Sequence, residues 1–435
     1  MKIAVWHNLP SGGGKRALYD PVKGLRDRAH SIEVYCPDGA EVNYLDLRAF
    51  GRIHRLPLPN QGPSFPWYNR LFATDRLRHL RRMLWHCREA AEKINGSDCD
   101  VVFANSCRSF YMSLLSLFLR KPCLIYLGEP YRPHHEAMPD NPWLLGTLHC
   151  TSVLRPAFWW RFLKDARRAF RRRLENTYEI ESAKRYDTIL VNSAFSRESV
   201  SRAYGVDSRV CYLGIDTEKF HPSPVPKGDY VVSVGTLSHM KGPDRVISAL
   251  AKVPRQIRPA LHWICNAQDA TYRQQVEKQT QEAGVRLDVS VLVSDEELVR
   301  QLQGATAMIY APRLEPFGLA PLEANACGTP AIGVAEGGVR ETVQDGVNGI
   351  LARDAHADGV AEAIRALIES PSLQKKLSCQ AVKHVRGHWD MRSGIDRIET
   401  HLIELAKRHS DAGSRRQCSP LIPASGNHRM SDSPR

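Results

Sequence analysis

Short apolar runs alternate along the chain with stretches whose apolar residues recur every three or four positions. In the first half, the runs at 2–6, 31–36, 101–104, 124–127 and 188–191 read as strands. Helical spacing predicts helices over 15–28, 75–93, 110–119 and 196–204, with Thr74 or Asp75 capping the second. The second half repeats the pattern, with strands at 230–234, 261–265, 289–293, 307–310 and 331–334. Its helices are expected over 245–252, 272–283, 295–303 and 321–327. Such alternation predicts a parallel sheet with helices on both faces. Two runs of it predict an α/β protein of two Rossmann-like, doubly wound domains. Three prolines between His221 and Pro226 make a stiff join near 220–228. The expected domains are 1–215 and 216–389, followed by a helix at 390–408 and a Ser-, Pro- and Arg-rich tail at 409–435 that reads as disordered.

A chain of 435 residues is too long for one ordinary core, which supports the two-domain reading. Its 43% hydrophobic and 25% charged residues are those of a folded protein. A net charge of +13 favours anionic partners: a phosphate-bearing small molecule, an anionic membrane or nucleic acid. No zinc-finger spacing, aromatic RNA-binding signature or basic zipper accompanies the charge, so nucleic acid is set aside. The eleven cysteines are scattered singly, which fits a reducing compartment. The opening MKIAVWHNLP reads as a strand rather than a signal peptide, and no window nears about 18 consecutive apolar residues. A cytoplasmic location is expected.

In parallel sheets, ligands sit beyond the carboxyl ends of the strands. Two glycine turns have that position: Gly12–Gly13–Gly14 after the first strand, and Gly337–Gly338 after a strand of the second half. Neither has Walker spacing, and a tight turn without a ligand is an equal reading of each. The sharper signal is the run from Glu315 through Pro316, Phe317, Gly318 and Leu319 to Glu323. One glutamate lies in a loop after a strand, and the other is expected about two residues into the next helix. Carboxylates accept from hydroxyls while amides at a helix start donate to phosphate, a combination that suits a sugar joined to a diphosphate. On these residues alone, two surface glutamates with a capping role fit equally well.

The order of the blocks adds a resemblance. Glu315-Pro-Phe-Gly-Leu, Pro321-Leu-Glu-Ala, Gly337-Gly-x-x-Glu341 and Asp345-Gly-x-x-Gly-x-Leu351 follow one another. Upstream lie Val191-Asn-Ser-Ala-Phe-Ser-Arg197, Tyr212-Leu-Gly-Ile-Asp216 and Val234-Gly-Thr-Leu-Ser-His-Met-Lys-Gly242. Together they resemble the retaining, nucleotide-sugar-dependent glycosyltransferases of family 4. The resemblance implies the GT-B arrangement: two domains facing a cleft, with a C-terminal helix crossing back to the first. It implies that Glu323 binds ribose hydroxyls, Glu315 contacts the transferred sugar and Lys241 neutralises the diphosphate. The backbone at Gly235, Thr236, Phe317, Gly318 and Leu319 would join the donor site, with Gly13 and Gly14 closing over the phosphates. No metal and no cofactor beyond the donor nucleotide sugar are implied. The acceptor would be a glycan or a lipid-linked glycan.

Two positions depart from the family pattern. Thr236 stands where an arginine is frequent, so Lys241, or Arg16 from across the cleft, would carry more of the charge. Gly128 stands where a histidine is frequent, leaving Glu129, Arg132, His134 or His135 as replacements, or as plain loop residues. These departures keep two rivals open: a nucleotide-sugar epimerase or hydrolase on the same scaffold, and a catalytically silent scaffold at the membrane. Residues 67–85 and 158–174 are amphipathic and arginine-rich. Each fits an anionic membrane surface, for instance the inner face of the cytoplasmic membrane, or equally an ordinary helix packed on its own core.

Overall fold

The computed structural model describes residues 1–58, 74–135, 156–353 and 356–412. Among them lie two sheets. The first holds β1 (Lys2–Asn8), β2 (Ser31–Pro37), β3 (Arg52–Leu56), β4 (Val101–Cys107), β5 (Cys123–Leu127), β6 (Thr188–Val191) and β7 (Arg209–Val210). Its order is β3-β2-β1-β4-β5-β6-β7. The second holds β8 (Tyr230–Val234), β9 (Ala260–Cys265), β10 (Leu287–Val291), β11 (Ala307–Tyr310), β12 (Ala331–Val334) and β13 (Gly349–Ala352), in the order β10-β9-β8-β11-β12-β13. Every pairing is parallel. In each sheet the strand order reverses beside its first strand, and that switch point opens a crevice beyond the strand ends. Covered on both faces, β1 and β11 are buried almost throughout, which is why they read as unbroken apolar runs.

The chain crosses between the sheets twice, and the two crossings hydrogen-bond to each other. Ile215 N donates to Trp389 O at 2.7 Å and Met391 N donates to Ile215 O at 3.0 Å. Leu213, Ile215, Phe220, Phe317 and Trp389 belong to one apolar cluster that also contains Val5 and Phe103 of the first sheet and Met308 of the second. The last helix, Met391–Ala412, returns to the first helix, Gly13–Asp27: Arg28 pairs with Asp396 at 2.6 Å and His30 Nε2 lies 2.7 Å from Glu399 Oε1.

Several local expectations are corrected. The helix expected over 110–119 is only a 3-10 turn, Leu114–Leu117. Its apolar residues are buried by their surroundings, not by helical periodicity: Phe110, Met112, Leu114, Leu115 and Leu119 are all in the core. Tyr111 has a φ of 41°, which breaks any continuous helix there. The strand expected at 289–293 is β10, two residues earlier, ended by Leu292 in the left-handed region. The first helix takes in Gly13 and Gly14, so only Gly12 of the three stays outside it. The final helix runs past 408 to Ala412, so the first residues of the expected tail are helical, and 413–435 lie outside the described residues. The basic segment at 158–174 is part of a longer helix, Pro156–Arg185, and 67–73 of the other basic segment lie outside the described residues.

Candidate active site

The site is built where β11 ends. The chain runs through 311–318 and enters the helix Leu319–Ala326 at Gly318, whose φ of 99° favours glycine. Pro321 sits in the first turn, where its missing N–H costs no helical bond. No side chain caps this helix, so the amides at its start face the crevice without a protein acceptor from the cap residue. Glu323 is the fifth helical residue, deeper than the second position expected from the sequence. The Gly337–Gly338 turn backs the loop rather than forming an open phosphate cradle. Gly338 N donates to Glu315 O at 2.7 Å, and a Cβ on Gly338 would lie 2.2 Å from Pro316 O. The Phe317 side chain is buried, with its ring 5.6 Å from that of Trp389 and 6.2 Å from that of Tyr212. It therefore offers the crevice only its backbone.

Lys241 ends a 3-10 turn, His239–Lys241, shortly after β8. Its Nζ lies 2.7 Å from Glu315 Oε2. Burial works against the ammonium charge, but Glu315, assisted by Tyr310 and Glu129, outweighs it and raises the lysine pKa. A Cβ on Gly235 would touch the Lys241 stem at 3.4 Å, and Thr236 beside it is exposed. Lys241, Glu315 and Gly235 thus lie together, and Glu315 stands on the loop that leads into the helix start at Gly318 and Leu319.

The first domain contributes differently. Gly13 and Gly14 are exposed at the start of their helix, and Gly12 before them gives no side-chain cap. Lys15 is buried, with Nζ 3.2 Å from His7 Nε2. Burial lowers Lys15 to about 8. Burial, with Lys15 adding, lowers His7 to about 3. Arg16 does not stand with Lys241. Its Nη1 donates to Glu323 Oε1 at 2.8 Å and its Nη2 lies 3.4 Å from Asp295 Oδ1. Glu129 pairs with Arg132 at 2.6 Å, and Arg132 reaches across to Arg313 O at 3.3 Å and to Leu314 O, just before Glu315. Gly128 O accepts from Ser196 Oγ at 2.7 Å. The His135 ring packs edge-on against Tyr204, and the His134 side chain lies outside the described residues.

A second seam escaped the sequence reading. Glu341 accepts from Ala194 N at 2.8 Å and Phe195 N at 3.1 Å, the first amides of the helix Ala194–Tyr204 in the other domain. Tyr212 donates its hydroxyl to the same carboxylate at 2.9 Å. A carboxylate at a helix start is favoured by the helix dipole, so Glu341 fastens the domains. Only its place in the Gly-Gly-x-x-Glu block singled it out beforehand.

Comparison with known proteins gives a consistent picture. The profile of the Glycosyltransferase Family 4 domain matches residues 11–219, and that of glycosyl transferases group 1 matches residues 215–384. A D-inositol 3-phosphate glycosyltransferase of Catenulispora acidiphila is 28% identical over 234 residues, 49% of this chain and 56% of the relative. A GDP-mannose-dependent alpha-(1-6)-phosphatidylinositol dimannoside mannosyltransferase of Mycobacterium tuberculosis is 29% identical over 206 residues, 45% of this chain and 52% of the relative. The matched stretch thus spans about half the length of these relatives. Among solved structures, Anabaena HepE with UDP-glucose superposes with a TM-score of 0.67 at 19% identity, over 93% of this chain and 100% of that one. Sucrose-phosphate synthase of Thermosynechococcus elongatus does so with a TM-score of 0.67 at 17% identity, over 95% of this chain and 100% of that one. At such identities the superpositions speak for the fold alone.

Proposed function

The chain belongs to the glycosyltransferases that these two profiles describe, with the GT-B fold, and we propose on that footing that it moves a sugar from a nucleotide-diphosphate sugar to a glycan or lipid-linked acceptor with retention at the anomeric carbon. The observation that carries this reading is the Lys241–Glu315 pair, 2.7 Å apart, with Glu315 on the loop that leads into the uncapped helix start at Gly318 and Leu319. In the proposed complex the diphosphate lies against Lys241 and these amides. They stabilise the charge that develops on the leaving diphosphate. Glu315 accepts from sugar hydroxyls, and Glu323 accepts from the ribose. Gly13 and Gly14 bring the start of the first helix over the phosphates. Glu129, with Arg132 holding it beside the 313–314 backbone, faces the sugar from the acceptor side. The reading assigns no metal, since the lysine and helix amides supply the positive potential.

The relatives named above orient the choice of donors and acceptors. UDP-glucose and GDP-mannose are the first donors to try, with inositol phosphates and lipid-linked glycans as acceptors. The test is product analysis by NMR for each donor with and without acceptor. Transfer with retained configuration supports the proposal. Donor conversion without acceptor favours an epimerase or hydrolase, and donor binding without turnover across the acceptor panel favours a silent scaffold.

Attachment to an anionic membrane belongs to the same reading. On the helix Pro156–Arg185, Trp159 is 52% and Phe170 is 66% exposed, while Leu174 and Tyr178 pack against the core. Among the described residues, the apolar face is therefore covered at Leu174 and Tyr178 and exposed at Phe170. Among the described residues no helix is long and apolar enough to cross a membrane. Sedimentation with anionic vesicles at low salt checks this; absence of binding speaks against it.

A further inference from the structure

Glu323 is a nearly buried carboxylate, its side chain 8% exposed. A buried charge is costly unless it is paired. Its counter-charge comes from the opposite domain, from Arg16 on the first helix, 307 positions away in sequence. The contact uses one oxygen only. Arg16 Nη1 donates to Oε1 at 2.8 Å, and among the described residues no donor is recorded on Oε2. The second arm of the same guanidinium reaches Asp295 Oδ1 at 3.4 Å, at the start of the helix Asp295–Gly304. Arg16 therefore ties two elements of the second domain to the first helix. It borders a cavity of about 240 Å³ between the domains, lined also by Asp20, Asp216 and Lys219.

We propose that Arg16 is a positioning residue for the donor nucleoside: it holds the Glu323 carboxylate oriented so that Oε2 faces the ribose hydroxyls, and thereby links donor binding to the approach of the two domains. The inference rests on the reading of Glu323 as the ribose-binding group. The exposed Gly13 and Gly14 are proposed to lie over the phosphates; Arg16 acts two positions later and through another side chain. Burial alone opposes the guanidinium charge, but Glu323, Tyr44, Asp295 and Asp20 more than compensate and raise its pKa, so the arginine is charged throughout the accessible pH range. Without it, Glu323 loses the one contact that fixes its carboxylate and is free to turn away from the ribose.

The experiment is a ligand and variant cycle on the full chain by calorimetry. UDP, GDP and ADP are compared with their 2′,3′-dideoxy counterparts on wild type, Arg16→Lys, Arg16→Gln, Glu323→Gln and the Arg16→Gln/Glu323→Gln double variant. The expected result is that Arg16→Gln weakens the ribonucleotide by about ten- to a hundredfold, the loss of one charge-assisted hydrogen bond. It should leave the dideoxy counterpart almost unchanged and add nothing on top of Glu323→Gln, while Arg16→Lys keeps part of the affinity. A purely structural role would move both ligands alike. Equal weakening of the ribo and dideoxy forms, or no weakening of either, overturns the inference while leaving the donor site in place. Absence of binding by any of the three diphosphates to the wild type overturns the donor-site reading itself and the inference with it.

Discussion

The two glutamates eight positions apart sit in unlike surroundings. Glu315 is satisfied within its own domain, by Lys241 at 2.7 Å. Glu323 is satisfied from the other domain, by Arg16 at 2.8 Å. The ion pair at one end is therefore formed within the second domain, and the pair at the other depends on how the domains meet. The difference teaches that the Lys241–Glu315 pair proposed at the sugar end can form within one domain, while the pair at the proposed ribose end exists only where the domains meet. The seam at Glu341, where a carboxylate of one domain caps a helix of the other, shows the same device used for fastening alone.

Changes at the two ends should separate. Lys241→Ala is expected to lower turnover by about 10² to 10³, the scale for losing one electrostatic stabiliser, with a much smaller change in donor affinity; steady-state kinetics with the donor that supports transfer checks it. Glu323→Ala should do the reverse, weakening donor binding by about ten- to a hundredfold with less effect on turnover. Equal effects of both variants on both parameters would erase the distinction. Gly338→Ala places a Cβ 2.2 Å from Pro316 O, against backbone that has no room to yield. It should cost about 1–3 kcal/mol of stability in urea unfolding and damage the Glu315 end before the Glu323 end.

The smallest expected effect lies away from the crevice and serves as a control. Glu179 is buried in the first domain, where burial pushes its pKa up to about 8, with Glu175 adding and the hydrogen bond from Tyr204 opposing. A carboxyl whose folded pKa is raised favours the folded state at low pH. That contribution is whole below the ordinary carboxyl pKa and is lost as pH rises toward about 8. Glu179→Gln should remove a slope of at most about 1.4 kcal/mol per pH unit between roughly pH 5 and 8 in thermal unfolding. Donor affinity should not change. A shift in donor affinity in this variant would mean that first-domain stability, and not Arg16, sets the ribose end.

Much of the architecture was legible in the sequence because parallel strands buried on both faces are mostly apolar, as Ile3–Trp6 of β1 and all of β11 are. The run from Glu315 to Glu323 was legible because a loop after such a strand, leading into a helix, is where ligands approach. The same logic failed at 110–119, where burial from all sides made an irregular segment look helical. At Gly337–Gly338, where a bare turn and a ligand turn read equally, the glycines serve close backbone contact with the 315–317 loop.

Local pattern, then, determined every strand but β3, β7 and β13, many of the helices and the identity of the charged groups at the mouth, since these depend on neighbours a few residues away. Which carboxylate meets which cation was decided only by the packing of the two domains. Arg16 and Glu323 are 307 residues apart, and Glu341 meets amides 147 and 146 residues before it. No periodicity encodes such distances, because a salt link across a seam is fixed by where two folded surfaces come to rest.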